Sequence, residues 1–422
     1  MRCCKRIYRI LCTMNHIKIV ILSASQLLPR EVEFYCLEEL STQFQLEYWD
    51  CSAFLYPNFC VPEKVVHRTY LNEIETLSQF KLKVSKLPLD TVVVTDVIAN
   101  KSNYAFYKIL CHYFPKHITI FFSTNAIPIK CENSRSRNIH ENHQKYIWLD
   151  KIKSYLYQSF GLRRLVTYLR YRNQPNYEER VNHLYEVRIQ QLCSLTIIGC
   201  NEQFAWRINH PDYERYLSLQ NTSTSFNGEP YIVFIDEYYP YLKEVNMNNS
   251  EMDIEETARL YYKSMNAFFA YVEQQFNCSV VIAAHPKSDY HNHNPFKGRQ
   301  IIFNKTVELI RSCEACIIHN SNCYSYVVLY DKPVAAVVNE ALLRSDVFSK
   351  YIRDVNANFN VKVQNIDMSY NAPENLFGHI DENIRKQYVQ THLCVKNNRI
   401  RNSELLKQYF EEYHSELLKM KK

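Results

Sequence analysis

The chain has 422 residues, 46% hydrophobic and 22% charged, with a formal net charge of +6. That is enough apolar material for about two domains of roughly 150 to 200 residues each, and it excludes intrinsic disorder. Glycine is the anomaly: 5 residues occur in the chain, where average usage of about 7% would supply roughly 30. The two nearest neighbours, Gly199 and Gly228, lie far apart in sequence. Phosphate-binding devices that need clustered glycines, the G-x-G-x-x-G turn and the P-loop, are therefore excluded. Propellers, β-helices and hairpin-rich all-β folds are disfavoured, because their turns depend on glycine.

Tyrosine (33), phenylalanine (22) and cysteine (15) are the other compositional outliers. Tyr, Phe, Asn, Ile and Lys share AT-rich codons, so a bias toward them does not by itself point to a function. The cysteines show no framework spacing and often sit in apolar runs, as Cys111, Cys193, Cys200, Cys278 and Cys316 do. That is the usage of small hydrophobes in a reducing compartment, and it predicts a cytoplasmic protein. No run of ~18 apolar residues is present, so no membrane span is expected. Residues 1–13 carry Arg2, Lys5, Arg6 and Arg9 without an apolar signal core, and read either as a basic tail or as an upstream-start artefact.

In chain order, Ile17–Ser23 is the first short, continuous β-branched run, the pattern of a parallel strand buried on both faces. Similar runs follow at Thr91–Val97, Ile118–Ser123 and Leu195–Cys200, with helical stretches between them. A second series comprises Tyr231–Asp236, Ser279–Ala284, Gln300–Phe303, Ala315–His319 and Pro333–Val338, with helices over Glu255–Phe276 and Thr306–Ser312. The polar stretch Gln220–Glu229 reads as the linker between them. The alternation predicts two α/β domains, and the charged tail from Asp381 onward predicts a helix able to pack back across the boundary.

Residues 145–172 stand apart. Seven Lys/Arg against one Asp and seven aromatics are concentrated there, with Leu149, Ile152, Leu156 and Phe160, then Leu162, Leu165, Val166 and Leu169, at helical spacing. Two amphipathic pieces meeting near Gly161 are expected. The pattern fits a helix that buries its apolar stripe in a core, or one that lies on an anionic bilayer; nucleic acid is the weaker fit.

Candidate chemistry collects where open α/β sheets bind ligands, past the carboxyl ends of the strands. Asp236 and Glu237 follow one strand, His285, Pro286 and Lys287 the next, and His319, Asn320 and Ser321 a third. Lys287 and the histidines offer charge and donors to a phosphate, and Asn320 and Ser321 can hydrogen-bond it or start a helix. Asp96, at the end of TVVVTD, is the alternative acid from the first domain.

The series YIVFIDEYYP, AAHPK, FKGR, NKTVELIRSC, CIIHNS and VLYDKPV over residues 230–340 resembles bacterial glycosyltransferases of capsule, lipopolysaccharide and other surface-polysaccharide assembly. The His-Pro element is similar to that of bacterial sialyltransferases and Kdo transferases, and the acidic pair to their D/E-D/E-G motif. The sequence departs from that pattern where Tyr238 replaces the glycine and where His319-Asn320-Ser321 replaces a plain Ser/Thr pair.

The resemblance implies a GT-B architecture: two Rossmann-like domains with a cleft between them and a C-terminal helix. The implied division is an acceptor-side domain over 14–225, a nucleotide-sugar-binding domain over 226–385 and the helix over 386–422. It implies phosphate contacts for His285 and Ser321, with Lys287, His319 and Asn320 beside them, and makes Asp236 or Glu237 the base or an acceptor ligand. The implied activity is metal-independent transfer from a nucleotide sugar, CMP- or UDP-linked, to a glycan or glycolipid acceptor, with no further cofactor and with peripheral attachment to the inner membrane face. A CDP-activated polyol-phosphate or sugar-phosphate transferase, and a non-catalytic membrane- or nucleic-acid-binding protein, are the alternatives.

Two metal-like patterns carry less weight. Cys313, Cys316, His319 and Cys323 have zinc-like spacing, but Cys316 and His319 fall three apart on one strand and so point to opposite faces. Asp289, His291 and His293 lie in an Asn-rich polar loop. Asp253 and Glu255 read as the first turn of a helix rather than as a metal motif.

Overall fold

The computed structural model describes residues 17–57, 64–98, 102–121, 188–191, 205–220, 229–242, 253–395 and 399–420. The basic segment 145–172, the run Leu195–Cys200 and most of the expected linker lie outside the described residues. Two sheets with all strands parallel make up the core. The first contains β1 (Lys18–Ser23), β2 (Gln45–Asp50), β3 (Leu71–Glu73), β4 (Val92–Thr95), β5 (Ile118–Phe121), β6 (Arg188–Gln191) and β7 (Ala205–Ile208), in the order β3-β2-β1-β4-β5-β6-β7. The second contains β8 (Tyr231–Ile235), β9 (Ser279–Ala283), β10 (Ile301–Ile302), β11 (Ala315–Ile318), β12 (Val334–Val338) and β13 (Val363–Asn365), in the order β10-β9-β8-β11-β12-β13.

Both follow the doubly wound, Rossmann-like order, in which the strand sequence reverses beside the first strand of the sheet. Burial explains the sequence pattern. Along β1, Ile19 and Ile21 enter one core cluster while Val20 and Leu22 enter the cluster on the other face. Along β8, Ile232 and Phe234 face one way, and Tyr231, Val233 and Ile235 the other. A strand covered on both faces must be apolar throughout, which is why β1, β4, β8, β9, β11 and β12 are visible as continuous runs. The Gln300–Phe303 run shortens to the two residues of β10.

The long helix Ile254–Phe276 covers one face of the second sheet, burying Tyr261, Met265, Phe268, Phe269 and Val272. Asp253 is its N-cap and accepts from the Glu256 N–H at 3.1 Å, as expected of an acid in a first turn. At its far end Asn277 takes the left-handed conformation, φ +51°, a role that glycine more often fills.

The domains exchange helices. Helix Pro211–Leu219 directly follows β7, yet its Tyr213 packs in the second domain's core, and Asp212 accepts hydrogen bonds from Ser325 Oγ (2.5 Å) and Tyr326 OH (3.1 Å). Helix Asn402–Met420 follows the second domain but places Leu405, Leu406, Phe410 and Tyr413 in the first domain's core, the cluster that holds Ile19, Ile21 and Ile118, with Phe410 against Phe44 and Tyr413 against Trp206. The two crossing strands of chain are joined by Asn209 and Asn402, each donating to the other at 2.8 and 3.0 Å. The expected C-terminal helix is thus present, preceded by a separate shorter helix, Glu382–Tyr388, and a π turn, Val389–Leu393. Two Rossmann-like α/β domains and a terminal helix that returns to the first are the arrangement the GT-B resemblance implies.

Candidate functional site

Strands β8 and β11 are hydrogen-bonded neighbours at the switch point of the second sheet, where the connections leave in opposite directions and open a crevice at the carboxyl ends. Asp236 continues β8 by donating its N–H to Ala283 O at 3.1 Å. Its side chain is 3% exposed. Oδ2 accepts the His285 N–H at 3.2 Å and Oδ1 accepts Tyr290 OH at 3.1 Å, with a further N–H from Tyr238. Burial raises its pKa to about 6 despite these donors.

Glu237 is partly exposed at the same edge and reaches across the switch point. Its Oε1 accepts the Asn320 N–H at 2.8 Å, and the Asn320 side-chain amide lies against the same carboxylate. Removal from water raises Glu237 to about 8, the Asn320 donor opposing and the Asp236 charge adding to the shift. At neutral pH it is mostly protonated, with a pKa close to where an acid–base group works best.

Tyr238 follows the pair in the left-handed conformation, φ +54°. This is the position that the D/E-D/E-G motif gives to glycine, and here a tyrosine adopts the backbone glycine would take without strain. Its ring packs on Tyr241 and Tyr290.

Beyond β9 the chain makes a tight turn. His285 Nδ1 accepts the Lys287 N–H at 3.2 Å, and His285 O accepts the Ser288 N–H at 2.9 Å and its hydroxyl at 2.7 Å. With Nδ1 as acceptor, the neutral ring carries its proton on Nε2, as a donor. Lys287 is exposed. Ser321 is partly exposed past β11 and accepts the Cys323 N–H at 3.3 Å.

His319 does not present charge at this edge. It is fully buried, its Nδ1 lies 2.6 Å from Val337 O, and its Nε2 lies 3.0 Å from Tyr261 OH. Burial lowers its pKa to about 4, so it is neutral, donating to Val337 and accepting from Tyr261. Its parity explains the difference from the sequence expectation: Ala315 and Ile317 of β11 face the cluster under the long helix, and a residue two further on turns the same way. Cys316, with the opposite parity, lies in the other cluster, its Sγ 3.6 Å from that of Cys313. The zinc-like spacing is therefore split between the faces of the sheet. His291 stacks on Phe303, centroids 3.9 Å apart.

Asp96 stands at the equivalent edge of the first sheet. It accepts from Ser23 Oγ (2.7 Å), the Ala24 N–H (2.8 Å) and Tyr35 OH (2.8 Å), and burial raises its pKa. The structure thus gathers Asp236, Glu237, His285 and Asn320 by direct hydrogen bonds, places Lys287 and Ser321 on the same edge, and turns His319 inward. Sequence reasoning missed Tyr290, Tyr262 and Tyr261. Tyr290 and Phe296, two aromatics that turn inward from a polar loop, were the available signal.

Among the described residues no helix is long and apolar enough to cross a membrane. No protein-family model matches the chain, and no curated protein matches it in sequence. Solved structures resemble it in shape. A glycotransferase of kitacinnamycin is 10% identical with a TM-score of 0.47, over 95% of this chain and 99% of that one. UDP-GlcNAc 2-epimerase from Methanocaldococcus jannaschii is 9% identical with a TM-score of 0.42, over 94% and 99%. The wall teichoic acid polymerase TagF, in a variant form, is 10% identical with a TM-score of 0.43, over 95% and 90%. At these values the likeness decides nothing about chemistry, which has to come from the residues.

Proposed function

We propose that the protein is a glycosyltransferase that moves a sugar from a nucleotide donor to an acceptor hydroxyl. The observation that carries this reading is the geometry of Glu237, whose carboxylate accepts the Asn320 N–H across the switch point beside the His285 turn and Lys287, where burial pushes its pKa up.

The roles divide by geometry. His285 Nε2–H, Lys287 and Ser321 hold the donor's phosphates. Ionised Glu237 takes the proton of the acceptor hydroxyl as its oxygen bonds to the anomeric carbon. The bond from that carbon to the phosphate oxygen breaks, its electron pair leaves with the phosphate, and the cationic and N–H groups stabilise the charge. Asp236, already accepting several donors, is the frame rather than the base. A CMP- or UDP-linked donor, a glycan or glycolipid acceptor of capsule or lipopolysaccharide type and a cytoplasmic station at the inner membrane face complete the reading. The reaction needs no divalent metal in this scheme, so EDTA leaves turnover unchanged.

The test is a thermal-shift panel of CMP, UDP, GDP and CDP. One nucleotide stabilises the wild-type protein and fails to stabilise His285→Ala. Absence of a shift with all four, confirmed by calorimetry, removes the enzyme reading. CDP alone moves the assignment to the polyol-phosphate transferase.

A further inference from the structure

A line of hydroxyl groups reaches Asp236 from behind the edge. In the loop after β9, Asp289, His291, Asn292, His293 and Asn294 are exposed, while Tyr290 and Phe296 are buried. Tyr290 OH lies 3.1 Å from Asp236 Oδ1 and 3.2 Å from Tyr262 OH. A carboxylate can only accept, so Tyr290 donates to it and Tyr262 in turn donates to Tyr290. On its other side the same carboxylate accepts the His285 N–H. One buried carboxylate therefore grips its neighbouring loop twice, at the residue that opens it and at the aromatic five positions later. Among the described residues, the groups that act on Asp236 or feel its charge include Glu237 and Tyr238 on its own segment, His285 and Tyr290 in the loop, and Tyr261 and Tyr262 on the long helix. None of these is a lysine or an arginine.

We propose that Tyr290 is a positioning residue: oriented by Tyr262, its hydroxyl keeps the Asp236 carboxylate turned to the His285 main chain, and so fixes the turn that presents the His285 ring and Lys287. The ligand of that turn rests on the glycosyltransferase reading; the hydrogen-bond chain does not. Removing the Tyr290 donor takes away a group that favours the charged form, so the carboxylate accepts a proton at higher pH. Once protonated it no longer accepts at both oxygens, and the His285 turn loses its tether.

The test uses full-length Tyr290→Phe and Tyr262→Phe. Calorimetric affinity for UDP and for CMP, measured from pH 5 to pH 9, shows an acid limb in the wild-type protein. In Tyr290→Phe the midpoint of that limb moves up by about one pH unit from the wild-type value of about 6, so affinity falls by about twofold at pH 7 and by about tenfold at pH 5, the order of a hydrogen bond to a charged group. Tyr262→Phe, one link removed, moves the limb the same way by less. A folded Tyr290→Phe whose limb overlays the wild-type curve overturns the proposal.

A second readout needs no nucleotide. A carboxyl raised in the folded state lowers stability as pH climbs from its unfolded to its folded pKa, so the fall in Tm extends to higher pH in Tyr290→Phe than in wild type. Asp236→Asn abolishes that difference. If the Tm profile shifts while neither nucleotide binds the wild-type protein, the enzyme reading fails and the clamp stands; if the Tm profiles coincide, the clamp is overturned whatever the nucleotides do.

Discussion

The carboxyl edges of the two sheets share a device and differ in what surrounds it. In the first, Asp96 follows β4 and accepts an N–H from the exit of β1 at Ala24 and a hydroxyl from Tyr35. In the second, Asp236 follows β8 and accepts an N–H from the exit of β9 at His285 and a hydroxyl from Tyr290. Both are carboxylates whose pKa burial raises, held by a main-chain donor and a tyrosine. The residue after each one differs: Val97 is buried and apolar, whereas Glu237 reaches the Asn320 N–H. The first edge continues with acids tied to local hydroxyls, as Asp50 is to Ser52 at 2.6 Å; the second continues with His285 and Lys287. A buried aspartate at a strand end is thus a way of fastening a doubly wound sheet, and in the proposed function the reactive capacity comes from the residues added around it.

The largest effect expected from this contrast is at Glu237. Glu237→Gln lowers kcat by about 10²–10⁴-fold, the usual share of a general base, with nucleotide affinity kept within about threefold, equivalent to under 1 kcal/mol. A matching loss of affinity would make Glu237 part of the frame as well. The pH dependence has a defined sign: the base form is the ionised one, so kcat/KM in the wild-type protein rises with pH through about 8, the raised Glu237 value. Stability runs the other way, because a raised carboxyl favours the protonated folded state. Tm therefore declines between about pH 4.5 and pH 8 relative to Glu237→Gln.

The shared device sets the next effect. Asp96→Ala and Asp236→Ala each leave a part-buried N–H and a buried tyrosine hydroxyl without their acceptor, and each lowers unfolding free energy by about 1–3 kcal/mol, measured by urea denaturation. Unequal losses would show that the two edges are fastened differently. The smallest effect is at Tyr238. Tyr238→Gly relieves a left-handed backbone worth about 1–2 kcal/mol but removes ring contacts with Tyr241 and Tyr290, so stability in the same assay changes by less than about 1 kcal/mol.

What could be read from the residues depended on burial. β1 and β8 are covered on both faces and stand out as apolar runs, whereas β2 carries Glu47, paired with Lys18 at 2.5 Å, and Asp50, and so does not. β3 and β13, three residues each, are too short for any periodicity. The site was legible where polar residues interrupt apolar strand ends, at Asp236-Glu237 and His285-Pro286-Lys287. Position along the chain did not settle direction: His319 occupies a strand end, but the alternation through Ala315 and Ile317 carries it inward. Tyr290, which holds Asp236, comes from a polar loop, and Tyr262 behind it from a helix face, where the general abundance of tyrosine hides the few whose hydroxyls count.

The exchange of helices reverses the order in which the domains can be finished during vectorial synthesis. Helix Pro211–Leu219 emerges ahead of the second sheet and is ready to join it, so that core is complete once Cys394, its last buried member, has left the ribosome. The first sheet emerges earlier, yet Ile19, Ile21 and Ile118 await Leu405, Leu406, Phe410 and Tyr413. The half of the molecule made first closes last, and the final helix acts as the latch on a core begun at its other end.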